Sequence, residues 1–218
     1  MKTALVFGSS GLVGGHLLSQ LIENDDYNKI KIFVRSEPEI NDPKVEIIKT
    51  DFNNLENHKE DIKGDDCFFC IGATKQNSPD KNEYRRVELD VPKQIAQIAK
   101  SNSVNSFLFV SSGYADPKSS GDYLKFKGEV EEELKRLNFS KLGIMRPSFL
   151  LGDRKEKRVG EKIGIFVFKL LSPLFLGPLK KMKPIHSETV AKAMIRTANK
   201  NLEKNIFESN EIAELVLN

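Results

Sequence analysis

The chain has 218 residues, 39% apolar and 30% charged, with a formal net charge of +3, values that suit one soluble globular domain over residues 1–218 with a sizeable core. The positive balance is too small to argue for nucleic acid, and none is expected as a partner. The five apolar or small residues between Lys2 and Gly8 are too few for a secretory signal, so a cytoplasmic location is expected.

Strand-length apolar runs alternate with helical stretches. Strands are expected over 3–7, 29–34, 45–49, 67–71, 106–110 and 142–145, and helices over 12–24, 54–62, 79–102 and 121–138. This alternation predicts a doubly wound α/β fold, the Rossmann arrangement of a parallel sheet with helices on both faces. The pattern fades after about residue 147. The remaining 70 or so residues are expected to add a few helices beside the carboxyl edge of the sheet, with 148–200 as a small cap facing the substrate.

The first strand runs directly into Gly8-Ser9-Ser10-Gly11-Leu12-Val13-Gly14. Gly8 permits a tight turn, Gly11 lets backbone approach a pyrophosphate, and Gly14 lets the helix lie close on the strand. Ser10, Leu12 and Val13 line the same turn, where the helix N-terminus offers unpaired N–H groups and a positive dipole end. The spacing is GxxGxxG rather than GxGxxG. The second strand ends in Arg35-Ser36, where a NAD-preferring site carries an acid for the ribose hydroxyls. A guanidinium and a hydroxyl suit a 2′-phosphate instead, so NADP(H) is the expected cofactor, with Glu37 leaving NAD(H) open.

Cys67 and Cys70 form a CxxC inside the fourth strand. Residues three apart on a strand face opposite ways, so packing in the core is expected rather than a metal or a disulfide. The three histidines are scattered and give no metal site.

The fifth strand ends in Ser111-Ser112, and eleven residues after Ser112 comes Tyr123, with Lys127 four further on. On a helix the tyrosine and lysine share one face, about 6 Å apart along the axis. An ammonium held there favours the phenolate and suits Tyr123 to proton transfer. Ser112 is placed to hydrogen-bond a carbonyl and its developing alkoxide, with Ser111 the weaker candidate from strand register.

Through Gly8, Gly11, Gly14, Ser112, Tyr123-x-x-x-Lys127 and Arg146-Pro147-Ser148, residues 3 to 150 resemble a short-chain dehydrogenase/reductase of the atypical or extended kind. The runs 111–116, 123–131 and 150–156 are most similar to the Tat-interacting-protein oxidoreductase-like subgroup. The resemblance implies an NADP(H)-dependent oxidoreductase acting on a small-molecule carbonyl or alcohol, with Tyr123 as proton donor, Lys127 on the nicotinamide ribose and Ser112 on the substrate oxygen. It further implies that Asp51-Phe52 forms the adenine-binding turn, that Gly72-Ala73-Thr74 lines the cofactor, and that Pro147-Ser148-Phe149 packs on the nicotinamide. Many relatives carry an asparagine on the fourth helix to complete a proton relay, and here Glu88 stands in the matching stretch. An NADPH-binding regulatory, redox-sensing protein with weak catalysis is therefore the alternative. Nucleotide-sugar epimerisation is disfavoured by the short tail.

Residues 153–183 carry nine basic side chains and three acids around an apolar run. A cap over the pocket, a homodimer contact, and membrane-surface docking through 162–181 are the three readings of this segment. The run is too short and interrupted for a bilayer span.

Overall fold

The computed structural model describes residues 1–73, 80–152 and 181–217. Seven parallel strands form one sheet: β1 (Lys2–Phe7), β2 (Tyr27–Val34), β3 (Val45–Lys49), β4 (Asp66–Phe69), β5 (Ser106–Val110), β6 (Lys141–Arg146) and β9 (Ile206–Glu208). Their order is β3-β2-β1-β4-β5-β6-β9, so the direction of winding reverses between β1 and β4 and opens a crevice at their carboxyl ends. A two-stranded pair, β7 (Leu150–Leu151) with β8 (Ile185–His186), stands apart from the main sheet.

The expected Rossmann arrangement is thus present, and the two sheet faces bury separate cores. Helix α1 (Leu12–Ile22) lays Val13, Leu17, Leu18 and Leu21 on one face together with α5 (Ser187–Asn199). The opposite face is covered by α3 (Val91–Ser101) and α4 (Asp122–Leu137), through residues such as Ile95, Ala99, Val130 and Leu134. Strands buried on both faces need continuous apolar runs, which Ala4–Phe7 and Phe107–Phe109 supply. Cys67 packs with the second core while Cys70, just past β4, contacts the first, so the CxxC is split across the sheet as expected.

Several expectations need correction. Residues 54–62 do not form a helix; a single 3₁₀ turn, Leu55–His58, replaces it, because only Leu55 and Ile62 offer buried anchors in a stretch of polar residues. Strand β4 stops at Phe69, two residues early, although the Cys70 N–H still donates to the Phe7 carbonyl at 2.8 Å. The helix expected over 79–102 begins after Asp80, whose carboxylate caps the Glu83 N–H at 2.8 Å. It runs as α2 (Lys81–Arg85), a π turn (Arg86–Asp90) and α3. Residues 187–199, assigned above to the cap, are α5 and lie buried on the sheet. Past it come β9 and α6 (Ser209–Leu217), so the tail completes the sheet as well as flanking it. The apolar run of the basic segment lies outside the described residues. Among the described residues no helix is long and apolar enough to cross a membrane, and no cluster of His, Cys, Asp and Glu could hold a metal ion.

At the amino ends of the strands a polar knot ties β1, β2, β4 and α5. The fully buried Asp66 accepts from the Tyr27 hydroxyl at 2.7 Å and from Lys2 Nζ at 3.0 Å, and Lys2 also donates to Asn199 at 2.6 Å. Burial first, then the neighbouring Asp66 charge, push the Tyr27 phenol well above its ordinary range, so it stays a donor. Tyr27→Phe is expected to lower stability by about 2 kcal/mol, the worth of a hydrogen bond to a buried charge, measured by urea unfolding at neutral pH.

Candidate functional site

The glycine turn holds β1 against α1 by close backbone contact. Gly8 has φ +89°, and a Cβ there would sit 2.8 Å from the Cys70–Ile71 backbone. A Cβ on Gly14 would fall 2.0 Å from the Gly8 carbonyl oxygen. Gly11 is the N-cap residue of α1 and provides no side-chain cap, and the first turn holds no acid. The helix therefore presents its amino end to the crevice, beside exposed Ser10, half-buried Leu12 and buried Val13. That is a cradle fitted to a pyrophosphate.

Past β2, Arg35 and Ser36 are exposed. Arg35 lies close enough to help hold the Glu83 carboxyl below its ordinary range, behind the larger effect of the Arg86 hydrogen bond. Arg86 pairs with Glu83 at 2.7 and 2.8 Å and donates to the Phe52 carbonyl at 3.0 Å. Phe52 takes φ +63°, a left-handed conformation that Arg86 supports from the carbonyl side. Asp51 is turned onto Asn53, whose backbone and side-chain N–H groups lower its carboxyl. The adenine-turn candidates thus form one rim with Arg35. Arg86 and Glu83, which nothing in the sequence motif marked, hold it in shape.

The Ser-Tyr-Lys constellation gathers beyond β5. Adjacent residues at a strand end face opposite ways, and the two serines divide accordingly. Ser111 is buried and gives its hydroxyl to Glu131 at 2.5 Å, so its side chain is committed to the core. Glu131 in turn holds Arg146 through two contacts of 2.9 and 2.5 Å, and Arg146 reaches the Ala115 carbonyl at 3.1 Å. Ser112 is half-buried, with its hydroxyl 3.3 Å from the Gly113 carbonyl. Tyr114 follows with φ +66° and a half-exposed ring, over which Lys181 Nζ lies 5.0 Å from the centroid. The loop packs on α4 where Gly128 lacks a side chain, since a Cβ there would meet the Asp116–Pro117 backbone at 2.3–2.4 Å.

Tyr123 and Lys127 share one face of α4 as expected, with Lys127 Nζ 5.9 Å from the Tyr123 ring centroid. Their solvation differs sharply: Tyr123 is 37% exposed and Lys127 3%. The ammonium sits over the Phe109 ring at 4.9 Å and donates to the Val110 carbonyl at 3.4 Å. Its counter-charge is Glu88 Oε2 at 3.0 Å. Burial disfavours the ammonium, but Glu88 and then Tyr123 more than offset it, and Lys127 holds its proton more tightly than an ordinary lysine. The other Glu88 oxygen accepts from the Ala73 backbone N–H.

The remaining candidates spread along the same edge. Gly72 and Ala73 follow β4, and Thr74 lies outside the described residues. Pro147 is buried and accepts from the Gly113 N–H at 2.9 Å, which joins the β5 and β6 loops. The Ser148 hydroxyl donates to the Lys183 carbonyl at 2.6 Å, tying in the returning chain, and Phe149 is 55% exposed.

The family model for NAD(P)H-binding proteins matches residues 8–201. Protein FMP52, mitochondrial, of Candida glabrata is 31% identical over 100% of this chain and 97% of its own length. Protein HTATIP2 of Rattus norvegicus is 32% identical over 73% of this chain and 67% of its own. A UDP-N-acetylglucosamine 4-epimerase structure from Methanobrevibacter ruminantium M1 superposes with a TM-score of 0.70 at 20% identity, covering 94% of this chain and 74% of that one. The Bordetella bronchiseptica enzyme WbmH in complex with NAD⁺ superposes at 0.71 and 16%, covering 95% and 75%. Identities this low speak to the fold alone. The cytoplasmic location expected from the sequence is overturned by the FMP52 relatives, which are named mitochondrial. The chain belongs to the NAD(P)H-binding family and is a homologue of Protein FMP52 and Protein HTATIP2, consistent with the atypical short-chain dehydrogenase/reductase resemblance drawn from its motifs.

Proposed function

We propose that the protein is an NADP(H)-dependent oxidoreductase that interconverts a small-molecule carbonyl and its alcohol, with Tyr123 as the proton donor. The observation that carries this reading is the buried Lys127 ammonium held beneath a solvent-reachable Tyr123 on one helix face. When bound, the nicotinamide supplies the hydride to the carbonyl carbon. The Tyr123 hydroxyl then gives its proton to the oxygen, and the Ser112 hydroxyl donates a hydrogen bond to the same oxygen as charge builds. The Lys127 ammonium has three N–H donors; the Val110 carbonyl at 3.4 Å and Glu88 Oε2 at 3.0 Å engage two, which leaves one for a ribose.

The preference for NADP(H) is supported by Arg35 and Ser36 at the end of β2, exposed and beside the Asp51–Phe52 rim. The substrate in this reading is a small-molecule carbonyl or alcohol. A second reading, a nicotinamide-binding regulatory protein with weak turnover, is favoured by the Glu88 counter-charge on Lys127.

Two measurements test the proposal. Arg35→Ala is expected to weaken NADPH about tenfold or more while leaving NADH nearly unchanged, read by cofactor fluorescence. Equal losses for both cofactors would remove the NADP(H) preference. Tyr123→Phe is expected to lower turnover across a panel of carbonyl substrates by about 10²–10⁴-fold with NADPH affinity retained. Tight NADPH binding without turnover in either protein selects the regulatory reading.

A further inference from the structure

We propose that Glu88 is the positioning residue of this site, its carboxylate holding the Lys127 ammonium with one oxygen and the Ala73 backbone N–H with the other. The proposal deepens the nicotinamide reading above and rests on it for its catalytic consequence. The geometry itself stands apart from that reading.

Glu88 is carried on the π turn between α2 and α3, where the extra residue per turn re-aims a side chain. Its side chain is 0% exposed and that of Lys127 is 3%, so neither charge is hydrated. A buried charge without its partner costs several kcal/mol, so the two must be kept together. Around the ammonium stand Glu88 from the π turn, Tyr123 from its own helix and the Cys70 thiol from the end of β4, with the Phe109 ring and Val110 carbonyl from β5. Burial pushes the Cys70 thiol up to about 12, so it stays neutral. Glu88 is then the counter-ion of Lys127 among the described residues.

The second oxygen gives the pair its reach. Ala73 continues the loop that leaves β4 beside Gly8, and Gly72 lies against the same carboxylate, its Cβ position 3.5 Å from Glu88 Oε1. The loop expected to line the cofactor and the lysine expected to hold its ribose are therefore set by one group. A carboxamide at this position could still accept from Ala73 but would leave the ammonium uncompensated.

The test compares Glu88→Gln and Glu88→Ala in the full chain. In the cofactor-free protein the ¹³Cε resonance of Lys127, assigned with Lys127→Arg, is titrated with pH. Glu88→Gln is expected to lower its midpoint by about one unit or more, because burial then acts on the ammonium without its largest opposing charge. With NADPH and a turned-over carbonyl substrate, the alkaline limb of kcat/KM is expected to move down in the same direction. Glu88→Ala also loses the Ala73 contact and is expected to weaken NADPH about tenfold, where the isosteric Glu88→Gln keeps most of the affinity. A folded Glu88→Gln protein with an unchanged Lys127 midpoint overturns the proposal. If wild type turns over no carbonyl, the oxidoreductase reading fails, and the resonance titration still decides the role of Glu88.

Discussion

The absent side chain at position 14 is the constraint on which the site depends. Only there can α1 start against the Gly8 carbonyl, because any Cβ would lie 2.0 Å from that oxygen. Gly8 is bound from the other side by the Cys70–Ile71 backbone, so the ends of β1 and β4 and the start of α1 meet at one point. That point is the crevice where the strand order reverses. From it the chain passes through Gly72 and Ala73 to Glu88, and from Glu88 to Lys127. Phosphate cradle and buried lysine are thus linked by a short series of backbone and ionic contacts.

Buried charge recurs along the strand ends. Lys2 and Asp66 pair with Tyr27 at the amino side, while Glu131 with Arg146 and Glu88 with Lys127 stand at the carboxyl side. Pairs like these add little net stability, since desolvation consumes most of the Coulombic gain. Removing one partner, however, costs about 3–5 kcal/mol. What they contribute is position. Arg146 holds the Ala115 carbonyl and, through Glu131, the Ser111 hydroxyl, so the loop that carries Ser112 is fixed at both ends.

Much of this was readable from the residues. The glycine turn, the strand ending in two serines and the Tyr123–Lys127 spacing depend on local geometry, and the structure keeps each where periodicity put it. The helix expected over 54–62 failed because its pattern had too few apolar anchors to bury. Strand β9 escaped notice because three residues between polar neighbours carry almost no periodic signal, and its pairing with β6 is a tertiary event. Glu88 was visible as a departure from the family pattern. Its ion pair was not, because the π turn that aims it inward has no simple sequence signature. Arg86 and Glu131 likewise read as surface charges on helices until their partners are seen.

The contrast between Tyr123 and Lys127 narrows what the lysine does in the proposed reaction. A bare ammonium in a dry site would project a strong field on every nearby dipole. Paired with Glu88 at 3.0 Å it presents a compact dipole, whose influence falls off faster with distance. The pair therefore acts over short range, through the N–H donor that Lys127 keeps beyond its contacts to Glu88 and Val110. In the proposed reaction that donor turns the lysine toward orientation of a bound ribose, and Tyr123, on the same helix face but at the solvent boundary, is the group left to meet a substrate. Burial separates two tasks that four residues of sequence bring together.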